Sequence, residues 1–167
     1  YEPTRAGRAI SDFVNDHLSN WYVRLNRKRF WQGGLTEDKL SAYQTLYTCL
    51  ETVAKLMAPI APFYADQLFC DLISVTGREQ VYSVHLSDFP VCQEALIDKN
   101  LEERMQMAQT ISSMVLALRR KVNIKVRQPL HVLMVPVLDE HQKESIEAVK
   151  QLILNEVNVK DMKFVDN

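Results

Sequence analysis

The sequence predicts a mainly α-helical fold, a bundle of long helices followed by a small β-α-β appendage. Apolar residues recur every three or four positions through most of the first 122 residues, whereas β-branched, strand-like runs follow only after Pro129. The 167 residues, 47% of them hydrophobic, are enough to bury a core. We therefore place a helical domain at residues 1–126 and a small, truncated α/β segment at residues 127–167.

The first two helices are predicted from their apolar stripes and their end signals. One helix covers about residues 4–31 and ends before Gly33. A second follows Thr36, which is a suitable N-cap, and continues to about residue 57, since Pro59 stops it. The stripe of the first helix consists of Ile10, Val14, Leu18, Trp21, Tyr22 and Leu25.

The rest of the chain alternates helices with a connector and strands. A third helix begins at Pro62 and runs to about residue 74, and a connector rich in turn residues spans about residues 76–90. The fourth helix covers about residues 99–122, and its methionines, including Met114, are expected in the core beside Leu118. The appendage is a strand at 131–137, a helix at 140–154 and a strand at 157–165.

Composition excludes several classes of function. The 20 Lys and Arg residues are balanced by 21 Asp and Glu residues, so an RNA-binding surface must be a local basic patch. No apolar run approaches the roughly 20 residues of a membrane span. The three cysteines are too far apart for a CxxC pair and fit reduced thiols, so we expect a cytoplasmic protein with no membrane partner.

Catalytic constellations are also missing from the sequence. The four histidines are scattered and do not combine with cysteines at zinc-ligand spacing, which predicts no metal site. The chain has no nucleophile elbow and no phosphate-binding loop, so we predict no catalytic residues and no cofactor. A small free-standing enzyme is thereby disfavoured.

Six stretches, taken in order, carry a resemblance to a known family. Residues 18–24 (LSNWYVR) and 26–31 (NRKRFW) lie in the first helix, and residues 56–63 (LMAPIAPF) form a corner punctuated by prolines. The remaining stretches are 83–86 with 89–90, 125–130 (KVRQPL) and 155–160 (NEVNVK). Together they resemble the C-terminal region of class I aminoacyl-tRNA synthetases for branched aliphatic amino acids, and within these the isoleucyl enzymes.

The resemblance implies a helical bundle of the class I synthetase anticodon-binding type. Its implied partners are an isoleucine-specific tRNA and the enzyme's own catalytic domain, which would use ATP and Mg to charge the tRNA. Neither half of the class I catalytic signature is present here. The resemblance therefore implies that this stretch is itself inert.

A candidate RNA-binding surface lies on the polar side of the first helix. Asn20, Arg24, Arg27 and Trp31 step by four, three and four residues, which places them on one face of an α-helix, and Lys28 adds a further cation. Aromatic rings and guanidinium planes stack on anticodon bases, and cations hold phosphates. The residues alone equally describe a solvated helix end, and the resemblance favours RNA.

A second basic cluster ends the fourth helix at Arg119, Arg120 and Lys121. These cations suit an RNA backbone, although stabilisation of the helix dipole explains them equally well. Trp21 and Tyr22 fall on the apolar stripe and are assigned to the core. The alternative to RNA binding is a helical protein-interaction domain, which salt-dependent RNA binding would exclude.

Overall fold

The structure is a computed structural model that describes residues 2–78 and 80–166. Contacts between Cα atoms divide the chain into two compact units, Tyr1–Cys92 and Gln93–Asn167. The described part of the first unit is helical, and the second contains one two-stranded sheet. The mainly α fold with a β-α-β appendage is therefore confirmed. The domain division expected at residues 126 and 127 stays a prediction.

The first helical run is less regular than its stripe predicts. Helix α1 spans Pro3–Asp12 and continues as a π-helical segment over Phe13–Val23, and a short helix α2 follows at Arg27–Trp31. The break lies at Asn26, whose side-chain Nδ2 donates to the Tyr22 carbonyl at 2.8 Å. The single α-helix predicted here is wrong, because the run contains a π-helical segment and a turn at Asn26.

The next two helices begin and end close to their predicted positions. Helix α3 spans Glu37–Met57, and the hydroxyl of its N-cap Thr36 accepts from the Lys39 N–H at 3.2 Å. Helix α4 spans Pro62–Thr76 and ends at Gly77, whose φ of 59° is left-handed. Glycine adopts that conformation without strain, so the helix ends where the sequence supplies it.

The connector after α4 contributes to the core of the first unit. It forms a 3-10 turn at Val84–Leu86, and Val84 is buried with Ala54, Ala65 and Phe69. The carboxylate of Asp66 accepts from the Ser83 hydroxyl at 2.7 Å and from the Val84 N–H at 2.8 Å. The connector is therefore tied to α4 and does not simply cross the surface.

The second unit is a β-α-β arrangement covered by a long helix. Helix α5 spans Lys99–Lys121 and packs on α6, which spans Glu140–Val157. Strands β1 (Leu130–Val137) and β2 (Val159–Asp166) pair in parallel. Parallel strands need a crossover, which α6 supplies. The predicted appendage is confirmed, and a short 3-10 turn at Glu94–Leu96 precedes α5.

Helix α5 buries a narrower face than its sequence suggests. Its buried positions recur at helical spacing and are Ala108, Ile111, Ser112, Val115 and Arg119. Met114 and Leu118, which were expected in the core, are exposed. Both lie off the buried stripe, so an apolar residue on this helix is not by itself a sign of burial. Among the described residues, no helix is long and apolar enough to span a membrane.

Candidate nucleic-acid interface

The first candidate surface, which we call the α2 cluster, comprises Asn20, Arg24, Arg27, Lys28 and Trp31. All five side chains are exposed, and Trp31 is 80% exposed. Arg27 and Trp31 are one helical turn apart on α2, so they share a face. The guanidinium carbon of Arg27 lies 5.8 Å from the centroid of the Trp31 ring, which is a cation-π contact.

An exposed tryptophan beside an arginine has a defined chemistry. Trp31 presents a wide apolar ring to water, and Arg27 adds a planar cation next to it. Every base has a π-face that can stack on such a ring, and the cation attracts the adjacent phosphate. This pair is therefore suited to an unstacked base in a single-stranded loop.

The two tryptophans differ as the sequence predicts. Trp21 is half buried and its indole Nε1 is buried, whereas Trp31 is exposed. Tyr22 is half buried too and donates its hydroxyl to the Ala42 carbonyl at 3.1 Å. Both aromatic residues of the apolar stripe thus serve packing, and the expected difference in exposure between the two tryptophans is confirmed.

The α-helical wheel does not hold for the whole α2 cluster. Asn20 lies in the π-helical segment, and Arg24 lies between that segment and the turn at Asn26. A π-helix bonds each N–H to the fifth preceding carbonyl, so its turn holds more than the 3.6 residues of an α-helix. The structure brings Arg27 and Trp31 into contact, whereas the alignment of Asn20 with Trp31 stays a prediction.

Arg29 lies next to this cluster and binds Asp38, a contact that the sequence does not predict. Its Nε and Nη2 donate to the two carboxylate oxygens of Asp38 at 2.7 and 2.6 Å, and Nη2 also donates to the Asp38 carbonyl at 2.9 Å. The hydrogen bond to Asp38 raises the pKa of Arg29, against the opposing effect of desolvation. The only hint in the sequence is an acid in the first turn of α3.

The second candidate surface, the α5 end, comprises Arg119, Arg120 and Lys121. Arg120 and Lys121 are exposed, but Arg119 is only 2% exposed. Its Nη2 donates to the carbonyls of Lys125 at 2.7 Å and Val126 at 3.2 Å, and to that of Gln128. We therefore correct the assignment of Arg119, because a buried guanidinium that holds backbone carbonyls is not available to a phosphate.

The loop after α5 is shaped by its own backbone. Asn123 has a φ of 56°, and its N–H donates to the Arg120 carbonyl at 3.2 Å. The Ile124 N–H donates to the Arg119 carbonyl at 2.9 Å, which completes a Schellman motif. Arg120 and Lys121 thus sit at the negative end of the helix dipole, so part of their role is to stabilise the helix.

The remaining reactive groups of the described residues include three cysteines. The described residues contain no group of three His, Cys, Asp or Glu side chains that could hold a metal. The cysteines are free thiols, and burial raises the pKa of Cys49, which disfavours its reactive thiolate. Cys49 lines an apolar cleft of about 360 Å³ with Phe13 and Val53.

Comparisons with known proteins match most of this chain to one family. Residues 1–134 match the family described as the anticodon-binding domain of tRNA ligase. The chain is 76% identical over 166 residues to an isoleucine–tRNA ligase of Bacteroides thetaiotaomicron, covering 99% of this chain and 14% of that protein. The corresponding ligase of Porphyromonas gingivalis is 66% identical over 167 residues, covering 100% of this chain and 14% of that protein.

A more distant relative extends the same pattern. The isoleucine–tRNA ligase of Dehalococcoides mccartyi is 46% identical over 160 residues, covering 96% of this chain and 16% of that protein. The chain thus spans about a seventh of the length of the Bacteroides and Porphyromonas ligases. Because the family match covers most of its residues, the chain belongs to the family of anticodon-binding domains of tRNA ligases.

Proposed function

We propose that this chain binds the anticodon stem-loop of an isoleucine-specific tRNA as part of an isoleucine–tRNA ligase. The observation that supports this most directly is the exposed Arg27 and Trp31 pair in a member of an anticodon-binding family. Arg24 and Lys28 add exposed cations nearby in sequence. Stacking on Trp31 would hold a splayed base, and the cations would hold its phosphates.

The charging reaction itself is assigned to the remainder of the ligase. Forming isoleucyl adenylate needs ATP and Mg, and we propose that the enzyme's own catalytic domain binds both, since this chain carries neither class I catalytic signature. The chain alone is then inactive in isoleucine-dependent pyrophosphate exchange. We also propose a cytoplasmic location, which suits the free thiols.

The test is a titration with an isoleucine anticodon stem-loop at several salt concentrations. The variant Arg24→Ala/Arg27→Ala should weaken binding and flatten the salt dependence by about one to one and a half log units per log unit of salt, because each lost single-strand phosphate contact contributes roughly 0.7. Thermal melting of the variant, measured alongside, shows whether the fold persists. The titration is done with the full-length ligase and with this chain.

Two controls make the outcome specific. The variant Arg5→Ala/Arg8→Ala removes the same charge from exposed positions on α1, so it should change binding much less. A stem-loop with a mismatched anticodon should bind more weakly than the isoleucine stem-loop. If the two double variants weaken binding equally, the binding depends on general electrostatic attraction, which would contradict the proposed surface.

One observation favours a second function, a protein-interaction surface. The corner between α3 and α4 exposes Phe63 at 91%, with Tyr64 and Ile60 also exposed. Apolar side chains grouped on a surface mark sites where another protein surface packs. In the proposed ligase this role falls to contacts with the enzyme's own domains. Replacing Phe63 and Tyr64 by alanine in the full-length ligase tests this role. Normal tRNA binding by that variant would show that the corner is not part of the RNA-binding surface.

A further inference from the structure

Helix α2 needs external support to hold its exposed residues in place. It has five residues, and an isolated helix of that length is not stable in water. It follows a turn at Asn26, and after it comes Gly34 with a left-handed φ of 80°. Two backbone hydrogen bonds continue the helical pattern across that turn, from the Asn26 N–H to the Tyr22 carbonyl and from the Phe30 N–H to the Asn26 carbonyl, both at 3.1 Å. The contacts that α2 makes with α3 add to these bonds in setting the orientation of Arg27 and Trp31.

The strongest of these contacts is the Arg29 clamp, which we define as Arg29, Asn26 and Asp38. Besides the paired bonds to the Asp38 carboxylate, Arg29 Nη1 donates to Asn26 Oδ1 at 2.7 Å. Planar guanidinium groups match carboxylates in this two-point geometry, which fixes an angle as well as a distance. The clamp thus joins the turn before α2 to the first turn of α3.

A second anchor lies on the same side of α2. The Phe30 side chain is buried, with its ring centroid 5.0 Å from that of Tyr43 and 6.4 Å from that of Tyr22. The Tyr43 hydroxyl donates to the Phe30 carbonyl at 3.3 Å. Two consecutive residues of α2 are thereby used internally, while the residues at positions 27 and 31 remain on the surface.

We propose that Arg29 is a positioning residue that presents Arg27 and Trp31 to RNA without contacting RNA itself. This inference rests on the proposed function. The Asp38 carboxylate pairs with Nε and Nη2 of Arg29, so most of the donors of this guanidinium are already used within the protein. Holding α2 in one orientation before binding lowers the ordering cost that binding would otherwise carry.

The proposal predicts an unusual effect of Asp38 on RNA affinity. Removing a carboxylate from a basic RNA-binding surface should ordinarily strengthen binding, since it removes repulsion and releases an arginine. If Arg29 acts through its clamp, removing Asp38 should weaken binding instead. The sign of the Asp38 effect therefore separates positioning from direct phosphate contact.

The experiment measures anticodon stem-loop affinity and its salt slope for Asp38→Ala, Arg29→Ala and the double variant in the full-length ligase. If the unclamped helix adopts the binding orientation about a tenth of the time, each single variant weakens affinity about tenfold. The double variant should be no weaker than either single one, since both remove the same contact. The salt slope should not change.

A readout that does not need RNA accompanies the titration. In a Trp21→Phe background, Trp31 is the only tryptophan of this chain, and its fluorescence anisotropy decay reports the motion of α2. The decay should become faster in Asp38→Ala and in Arg29→Lys, which keeps the charge but loses the planar fork. The milder variants Asp38→Asn and Arg29→Lys replace the alanine variants if those fail to fold.

The outcomes are distinguishable. Tighter binding by Asp38→Ala, or a flatter salt slope in Arg29→Ala, overturns the proposal in favour of direct contact. Unchanged affinity in both variants assigns the clamp to stability alone and also overturns it. If the unmodified ligase does not bind the stem-loop, or if Arg24→Ala/Arg27→Ala binds as well as the unmodified protein, the proposed function fails and this inference fails with it.

Discussion

Replacing Arg119 tests whether this residue of a basic cluster stabilises the fold. Its guanidinium is buried at the end of α5, and Nη2 faces the carbonyls of Lys125, Val126 and Gln128. Removing the side chain leaves three backbone acceptors of one loop without this donor. The Val126 carbonyl also accepts from Asn158 Nδ2 at 2.8 Å, and the Lys125 carbonyl from the Gln128 N–H at 3.0 Å, so two of the three keep a partner.

The magnitude follows from the number of protons available. Nη2 carries two protons for three acceptors, so the contacts equal about two hydrogen bonds from a charged donor, each contributing about 1.5–3 kcal/mol. Burying the charge opposes this, since Nε and Nη1 of Arg119 have no hydrogen-bond partner among the described residues. We take the lower end and expect Arg119→Ala to reduce the free energy of unfolding by about 3 kcal/mol.

The assay is urea unfolding followed by circular dichroism, with Arg120→Ala as the matched control. Arg120 is adjacent, exposed and of the same charge, so its loss should change stability by no more than about 0.5 kcal/mol. RNA affinity should show the reverse order. Arg120→Ala should weaken RNA binding more than a folded Arg119→Lys variant does. A change in stability for Arg119→Ala as small as that for Arg120→Ala would refute the reasoning.

Two further predictions concern the first unit. Because Trp31 is exposed and Trp21 half buried, Trp31→Phe should remove most of the fluorescence that acrylamide can quench, and equal quenching of the two single-tryptophan variants would contradict this. The Ser83 hydroxyl and the Val84 N–H lower the pKa of Asp66, so its contribution to stability is complete above about pH 4 and is lost as the pH falls through the lower folded-state value. The melting temperature of the unmodified protein should therefore approach that of Asp66→Asn under acid conditions, and a constant difference between them at every pH would rule this out.

Most helix and strand positions were predictable because their signals are local. Thr36 caps α3 within three residues of itself, Pro62 lies in the first turn of α4, and β-branched residues are frequent in β1. Caps, proline and side-chain periodicity act over one or two turns, so a sequence window contains them. The parallel pairing also followed, since a helix separates the two strands.

Local signals did not predict the π-helical segment and the turn in the first helical run. An apolar stripe at three- and four-residue steps is compatible with both α- and π-helical hydrogen bonding, and nothing in the periodicity of Val14 and Leu18 separates them. At the break, Asn26 has a φ of −89° and a ψ of 6°, while both its N–H and its side-chain Nδ2 donate to the Tyr22 carbonyl. Asparagine in a helix is compatible with either outcome, so the sequence alone could not decide.

The roles of neighbouring arginines could not be predicted from the sequence. Arg27 and Arg29 are two residues apart on one short helix, yet the first stacks on Trp31 and the second binds Asp38. Arg119 and Arg120 are adjacent, yet one is buried and the other exposed. What separates the members of each pair is the direction of the side chain and the partner it finds, and neither is encoded in the residue type.

This division limits how strongly the two clusters can attract RNA. Counting every Lys and Arg of residues 24–29 and 119–121 as a phosphate contact overestimates the available charge, because Arg29 binds Asp38 and Arg119 binds backbone carbonyls. The other cations of these two segments are exposed, and they are Arg24, Arg27, Lys28, Arg120 and Lys121. At roughly 0.7 per single-strand phosphate, these five cations limit the salt slope from the two clusters to about −3.5. Under the proposed function, so modest an electrostatic contribution and a net charge of −1 favour stacking and base-edge contacts over charge as the basis for discriminating between anticodons.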